Sequence, residues 1–241
     1  QGIKVVNWLG FIDIAAFLME YDDMMEFSFA QWTKPPSGSW PGIENYGFKS
    51  VNVGNTQISG IEISCNGQGK INKNLTLNIL AGYTYMNHFS LTPDEVYAVG
   101  ANGDITYSNS SSDPSVLKYR YNNIAKIDAE VIYKKLSLGG SLRYNDYMKN
   151  IDEVFTSVLI NEGWYGVNGE EVVAPIIPGI NDARKDAEKG DYVIDARLGW
   201  EMNDVLRLGL VVNNLLNREY MTRPATMMSP RTFAMQLALK I

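Results

Sequence analysis

The sequence, 241 residues long, is short of the side chains that most chemistry requires. Its one cysteine, Cys65, excludes a disulfide framework and a cysteine-based zinc site, and its one histidine, His88, leaves His-based catalytic constellations without parts. Basic charge is scarce too. With 21 Lys+Arg against 27 Asp+Glu the balance is -6, which argues against nucleic acid as a partner, since its binders carry a basic face. Long apolar runs are missing: the greasiest stretch, Trp8 to Met19, is broken by Asp13 and falls short of the roughly 20 residues a membrane helix needs. The opening Gln-Gly-Ile-Lys has neither a basic nor an apolar stretch, so no signal peptide is read there. What is plentiful is tyrosine (14) and glycine (21), the palette of a β-protein with many turns.

Apolar residues recur with period two, the mark of half-buried strands. Phe233, Met235, Leu237, Leu239 and Ile241 oppose Thr232, Ala234, Gln236, Ala238 and Lys240; Leu206, Leu208, Leu210 and Val212 oppose Arg207, Gly209, Val211 and Asn213. The same alternation runs through Tyr192–Trp200, Leu136–Tyr144, Ile127–Tyr133 and Leu75–Tyr85. A less regular strand is expected from about Lys49 to Cys65, with a phase shift or bulge near Gly60, because Ile58 shares a face with Glu62. A first hairpin pairs Gln1–Val6 with Phe11 to about Tyr21 across a Trp8-Leu9-Gly10 joint.

The joints alternate in length. Those at Trp8–Gly10, Asn66–Asn74, Lys134–Lys135 and Met202–Asp204 are short, whereas those at about Asp22–Phe48, His88–Val116, Met148–Asp191 and Asn214–Pro230 are long and rich in Pro, Gly, Ser, Asn and Trp. Such segregation fits an all-β, antiparallel up-and-down transmembrane barrel with tight turns at one rim and large extracellular loops at the other. A soluble sandwich does not segregate its loops this way. About nine strands are counted, the first descending from the long-loop rim; because bacterial barrels normally have even strand counts, nine is read as the carboxy-terminal part of a larger barrel.

Two segments carry a family resemblance. Val211-Val212-Asn213-Asn214-Leu215-Leu216-Asn217-Arg218-Glu219-Tyr220 resembles the "NLxNxxY" exit of the penultimate strand in TonB-dependent outer-membrane transporters, particularly those of Bacteroides-like bacteria. Ser229-Pro230-Arg231-Thr232-Phe233 resembles the opening of their last strand, Phe11–Met24 resembles a mid-barrel strand leaving the membrane, and Ile58-Ser59-Gly60-Ile61-Glu62 resembles the family's "I-x-G-x-E" strand. The resemblance implies outer-membrane localisation and a barrel of about 22 strands with a plugged lumen, importing a scarce nutrient: an iron chelate, corrinoid, glycan or peptide. It also implies partners: membrane lipid, the plug and remaining strands, the energy-coupling TonB protein acting through the plug, and a surface lipoprotein as a further candidate. Residues 1–241 themselves contain no plug and no coupling motif, and Ile241 stands where the family usually ends on an aromatic. A non-transporting structural barrel, or a component of a surface complex, is the alternative.

Two residue sets are candidate sites. Asp128, Glu130, Arg143, Asp195, Arg197 and Arg207, with Asp13 and Glu201, fall on the polar faces and either line a solute path or pair with one another and a plug. Trp32, Trp40, Tyr46, Tyr97, Trp164 and Tyr165 fall in the long joints and either form a ligand platform or pack the loops. Trp8, Tyr133 and Trp200, beside short turns, read as interfacial anchors. Asn102-Gly103-Asp104 lacks the spacing of a calcium loop, and Asn66-Gly67-Gln68-Gly69-Lys70 lacks that of a phosphate cradle and reads as a turn. His88 reads as an ordinary exposed or interfacial residue. No enzyme activity, metal site or cofactor is expected.

Overall fold

A computed structural model describes residues 2–5, 8–165, 170–223 and 226–239, with side chains at 8–160, 170, 172–223 and 226–239. In chain order, β1 (Gly2–Val5) and β2 (Trp8–Tyr21) precede a loop hairpin of β3 (Met25–Gln31) and β4 (Tyr46–Asn52). The strands β5 (Thr56–Asn72) and β6 (Leu75–Ser90) lead to a second loop hairpin, β7 (Val96–Gly100) and β8 (Gly103–Thr106), and then a helical turn, α1 (Tyr107–Ser110). After β9 (Asn123–Tyr133) and β10 (Leu136–Asn145) comes a third loop, with α2 (Val154–Ser157), β11 (Leu159–Tyr165), β12 (Glu171–Pro175) and α3 (Ile180–Asp186). The strands β13 (Asp191–Glu201), β14 (Leu206–Asn213) and β15 (Thr232–Leu239) follow.

Nine of these strands form one antiparallel sheet in the order β1-β2-β5-β6-β9-β10-β13-β14-β15, and the three loop hairpins pair only within themselves. Each strand therefore lies beside its neighbour in the chain's up-and-down path, which agrees with the expected all-β barrel wall. Among the described residues the sheet is open, with β1 and β15 each paired on one side only.

Register explains the alternation. One row of directly opposed residues runs Val5, Trp8, Gly69, Leu77, Val131, Leu138, Leu198, Leu210 and Met235 across all nine strands. The row one residue away runs Leu9, Gln68, Asn78, Glu130, Gly139, Arg197, Val211 and Ala234. Successive side chains of a strand point to opposite faces, so a single register places the apolar set outward and the polar set inward. Outward residues are open to their surroundings, Ile14 at 67% and Met235 at 81%, as lipid-facing side chains must be.

Aromatic residues bound the apolar face at both ends. Trp8, Tyr133 and Trp200 lie beside short turns, and Tyr83, Tyr144 and Tyr192 lie toward the long loops on the same face. On β13 the step from Tyr192 to Trp200 spans about 27 Å along the strand, or about 21 Å along the membrane normal at a tilt of about 40°. That is close to the roughly 25 Å apolar band of outer-membrane barrels.

Several boundaries differ from expectation. Trp8–Gly10 belongs to β2, opposite Gly69–Gly67, instead of forming a joint, while Gln1, Val6, Asn7, Lys240 and Ile241 lie outside the described residues. The strand expected from Lys49 to Cys65 is two elements, because Val53–Asn55 breaks it and β5 continues to Asn72. Asn66–Lys70 is strand rather than turn; the turn is Lys73–Asn74, held by the Asn74 N–H donating to Asn72 Oδ1 at 2.9 Å. Pairing passes Gly60 unshifted, and the irregularity sits between Lys70 and Asn72. Ile58 is apolar on the polar face for another reason: the second loop folds back onto it.

Candidate functional site

The inner face carries an ion-pair lattice. Arg197 donates from Nη1 and Nη2 to both carboxylate oxygens of Asp128 at 2.6 Å, with Glu130 3.9 Å from Nε. Asp195 accepts from Arg143 Nη2 at 3.0 Å, Ser141 Oγ at 3.2 Å and the Asn214 N–H at 2.8 Å, tying the wall to the start of the fourth loop. Of the eight charged residues picked from the sequence, the fold joins Asp128, Glu130 and Arg197 in one group and Arg143 with Asp195 in another. Arg207 lies beside Gly199 and has no ion pair among the described residues.

Toward the long loops this face turns apolar, and the loops lean onto it. Ile58 packs in a core with Val53, Tyr107 and Leu117, flanked by Phe17, Met86 and Tyr97. Gly60 makes room for Phe17, whose Cζ would lie 2.6 Å from a Cβ placed there. His88, expected to be exposed or interfacial, is fully buried instead, its Nδ1 accepting the Leu117 N–H at 3.1 Å. The second loop covers it, which no local pattern could signal.

Asp152 joins three loops. Fully buried, it accepts from Lys118 Nζ at 2.6 Å, the Tyr119 hydroxyl at 2.5 Å and the Phe29 N–H at 3.0 Å. Lys118 is itself only 2% exposed and also donates to Ser110 Oγ at 2.9 Å, so protein groups supply the partners of this buried pair. Burial and then the Asp152 charge push the Tyr119 phenol well above its ordinary range. Tyr107 is raised too, chiefly by burial and then by Glu26, and its hydroxyl accepts the Lys118 N–H at 2.5 Å. Both remain neutral phenols at physiological pH.

These contacts frame a cleft of about 740 Å³ to which all four loops contribute. The first loop supplies Met25, Glu26, Phe27, Phe29 and Phe48, and the second supplies Lys118, Tyr119 and Arg120. Phe155, Ile176 and Ile177 come from the third, and Arg223 and Thr226 from the fourth. Phe29 stacks on Phe155 at 4.7 Å and meets Phe48 edge-on at 4.8 Å, geometries aromatic rings prefer. A smaller cavity of about 290 Å³ lies between α3 and the fourth loop and shares Arg223.

The aromatic residues picked from sequence are dispersed. Trp32 donates Nε1–H to Gly47 O at 2.8 Å under Lys49, Tyr46 packs near Phe29, and Tyr97 bonds Ser28 and Ser110 through its hydroxyl. Trp40 is half exposed. The side chains of Trp164 and Tyr165 lie outside the described residues. The phenylalanines of the cleft were missed, although the alternation in Met25-Glu26-Phe27-Ser28-Phe29 signals a strand inside the first loop.

A sheet with an apolar outer face between aromatic girdles, a charged inner face and large loops folded over that inner face is the wall of an outer-membrane β-barrel. Residues 2–215 match the family "TonB dependent receptor-like, beta-barrel", and the chain belongs to that family. Its members are outer-membrane proteins, and so is this chain. No curated protein matches the sequence. Among solved structures, the siderophore receptor PiuA from Acinetobacter baumannii is similar at 18% identity and TM-score 0.55, covering 96% of this chain and 28% of its own. The outer membrane transporter YddB from Escherichia coli follows at 13% and 0.53, covering 100% and 31%. The copper transporter OprC is similar at 12% and 0.54, covering 99% and 30%. At such identities the likeness is one of fold, and the chain spans 28 to 31% of the length of these proteins.

Proposed function

We propose that the chain is the carboxy-terminal part of the barrel wall of a TonB-dependent transporter that imports a scarce nutrient, whether iron chelate, corrinoid, glycan or peptide. The observation that carries this reading is the convergence of all four long loops on one cleft above the inner face. In this reading the outer face holds lipid, and the lattice of Asp128, Glu130, Arg143, Asp195 and Arg197, with Arg207, unpaired among the described residues, on the same face, receives a plug contributed with the remaining strands. TonB moves that plug from below. The loops collect the substrate, with Trp40 available at the rim for a ligand or a capping lipoprotein.

The test is uptake by the host cell of labelled nutrients from each of the four classes. Deleting the gene for the full-length protein should abolish uptake of one class, and deleting the gene for TonB should abolish the same uptake. If all four classes enter the deletion strain at the parental rate, the transport reading fails and the structural-barrel alternative replaces it.

A further inference from the structure

The cleft's chemistry narrows what it holds. Its walls are Phe27, Phe29, Phe48 and Phe155, extended by Ile176 and Ile177. Nearly every charged or strongly polar group on its lining is already engaged. Lys118 and Tyr119 are bound to Asp152, and Arg120 Nη1 bonds Glu26 at 2.5 Å. Arg223 differs: it lines the cleft, is exposed and has no side-chain hydrogen bond or ion pair among the described residues. Its carbonyl oxygen accepts the Thr226 N–H at 2.9 Å, which joins the two fourth-loop residues that line the cleft.

We infer that the cleft binds an apolar, ring-bearing small molecule carrying a single carboxylate, with the rings against the phenylalanines and the carboxylate on Arg223. The inference rests on the transport reading and deepens it. A neutral glycan needs many polar partners, whereas these walls are phenyl and aliphatic. A polyanionic chelate needs several uncommitted cations, and among the described residues of the lining one, Arg223, is free. A guanidinium and a carboxylate match as a two-pronged pair, and the phenyl faces favour rings by offset or edge contact. The volume of about 740 Å³ falls within the range that encloses molecules of several hundred daltons.

The test uses the purified full-length receptor in lipid nanodiscs and dansyl-Phe-Leu-Phe as the probe, with a free carboxylate or as the carboxamide. Fluorescence anisotropy, blanked on empty nanodiscs, reads affinity. The carboxylate should bind about tenfold more tightly than the amide, the scale of one charge-assisted bond. Arg223→Gln should erase that difference by weakening the acid far more than the amide, and Phe27→Ser or Phe48→Ser should weaken both forms. Because Phe27 and Phe48 are 68% and 56% exposed, these variants retain the fold. Equal binding of acid and amide by the wild type overturns the inference, as does displacement of the probe by maltoheptaose. The readout needs no TonB. Binding without TonB-dependent uptake defeats the transport reading alone, and uptake of a nutrient indifferent to Arg223→Gln defeats the inference alone.

Discussion

Arg197 holds Asp128 through two 2.6 Å hydrogen bonds although a whole strand, β10, runs between them. The crossing is possible because residue 139, opposite Arg197, is glycine: a Cβ there would lie 2.5 Å from Arg197 Nε. Gly139→Val should therefore detach Arg197 from Asp128 without touching the lipid face. A partly exposed ion pair is worth about 1 kcal/mol or less. The temperature at which the full-length barrel loses its fast-migrating folded band on gels should drop modestly. Adding Arg197→Ala to Gly139→Val should lower it little further, since the two share one interaction; additive losses would show that the glycine has another role.

Depth on the outer face sets a second expectation. Ala196 lies midway between Tyr192 and Trp200, while Leu208 is paired with Trp200 at the girdle. Ala196→Arg should cost about 2–4 kcal/mol in membrane stability, Leu208→Arg about 1 kcal/mol, and the inward Arg207→Gln less again. Reversible unfolding in lipid vesicles measures all three, and equal costs would contradict the assignment of faces.

Removing the buried carboxylate should release the loops and spare the wall. Asp152→Ala leaves Lys118 charged and enclosed, a loss of about 3–5 kcal/mol. Protease cutting of the first three loops on intact cells should rise sharply while the folded band persists. Replacing both partners, Lys118→Met with Asp152→Leu, should restore much of the resistance, since an apolar pair carries no stranded charge.

Alkaline pH should loosen the same layer. Tyr107 and Tyr119 have folded-state values raised above the ordinary phenol value of about 10. Their contribution is fully present below that value. It is lost as pH climbs beyond it, because the opened loops ionise their phenols while the closed ones do not. Hydrogen exchange in residues 107–119 should accelerate from about pH 10 upward, and Tyr119→Phe should flatten the rise. A pH-independent opening equilibrium would refute the assigned burial.

The wall was legible because its two solvents differ. Lipid outside and polar or small side chains inside impose period two on Leu206–Asn213 and Thr232–Leu239. At Ile58 the same rule misled, since the inner face there meets loop residues Val53 and Leu117 instead of a lumen, and an apolar side chain looked like a slipped phase. The charged residues of the wall were found for the reason the strands were. Asp152 was not, as its partners Lys118 and Phe29 are far from it in sequence and ordinary in kind. Arg223 had no signal at all: only the fold reveals that other cations around the cleft are already committed.

The three loop hairpins also carry a consequence for assembly. Their pairings are local, Met25–Gln31 against Tyr46–Asn52 for instance, whereas the Phe29–Asp152 bond joins positions 123 apart. Short closures lose less chain entropy and form sooner than long ones. The hairpins should acquire protection early in refolding and the Asp152 cluster last, an order that pulse-labelled amide exchange would reveal or reverse. Until that last step the chain has a wall and folded hairpins but no closed layer over the inner face, so a half-assembled copy in the membrane lacks the cleft on which the proposed uptake depends.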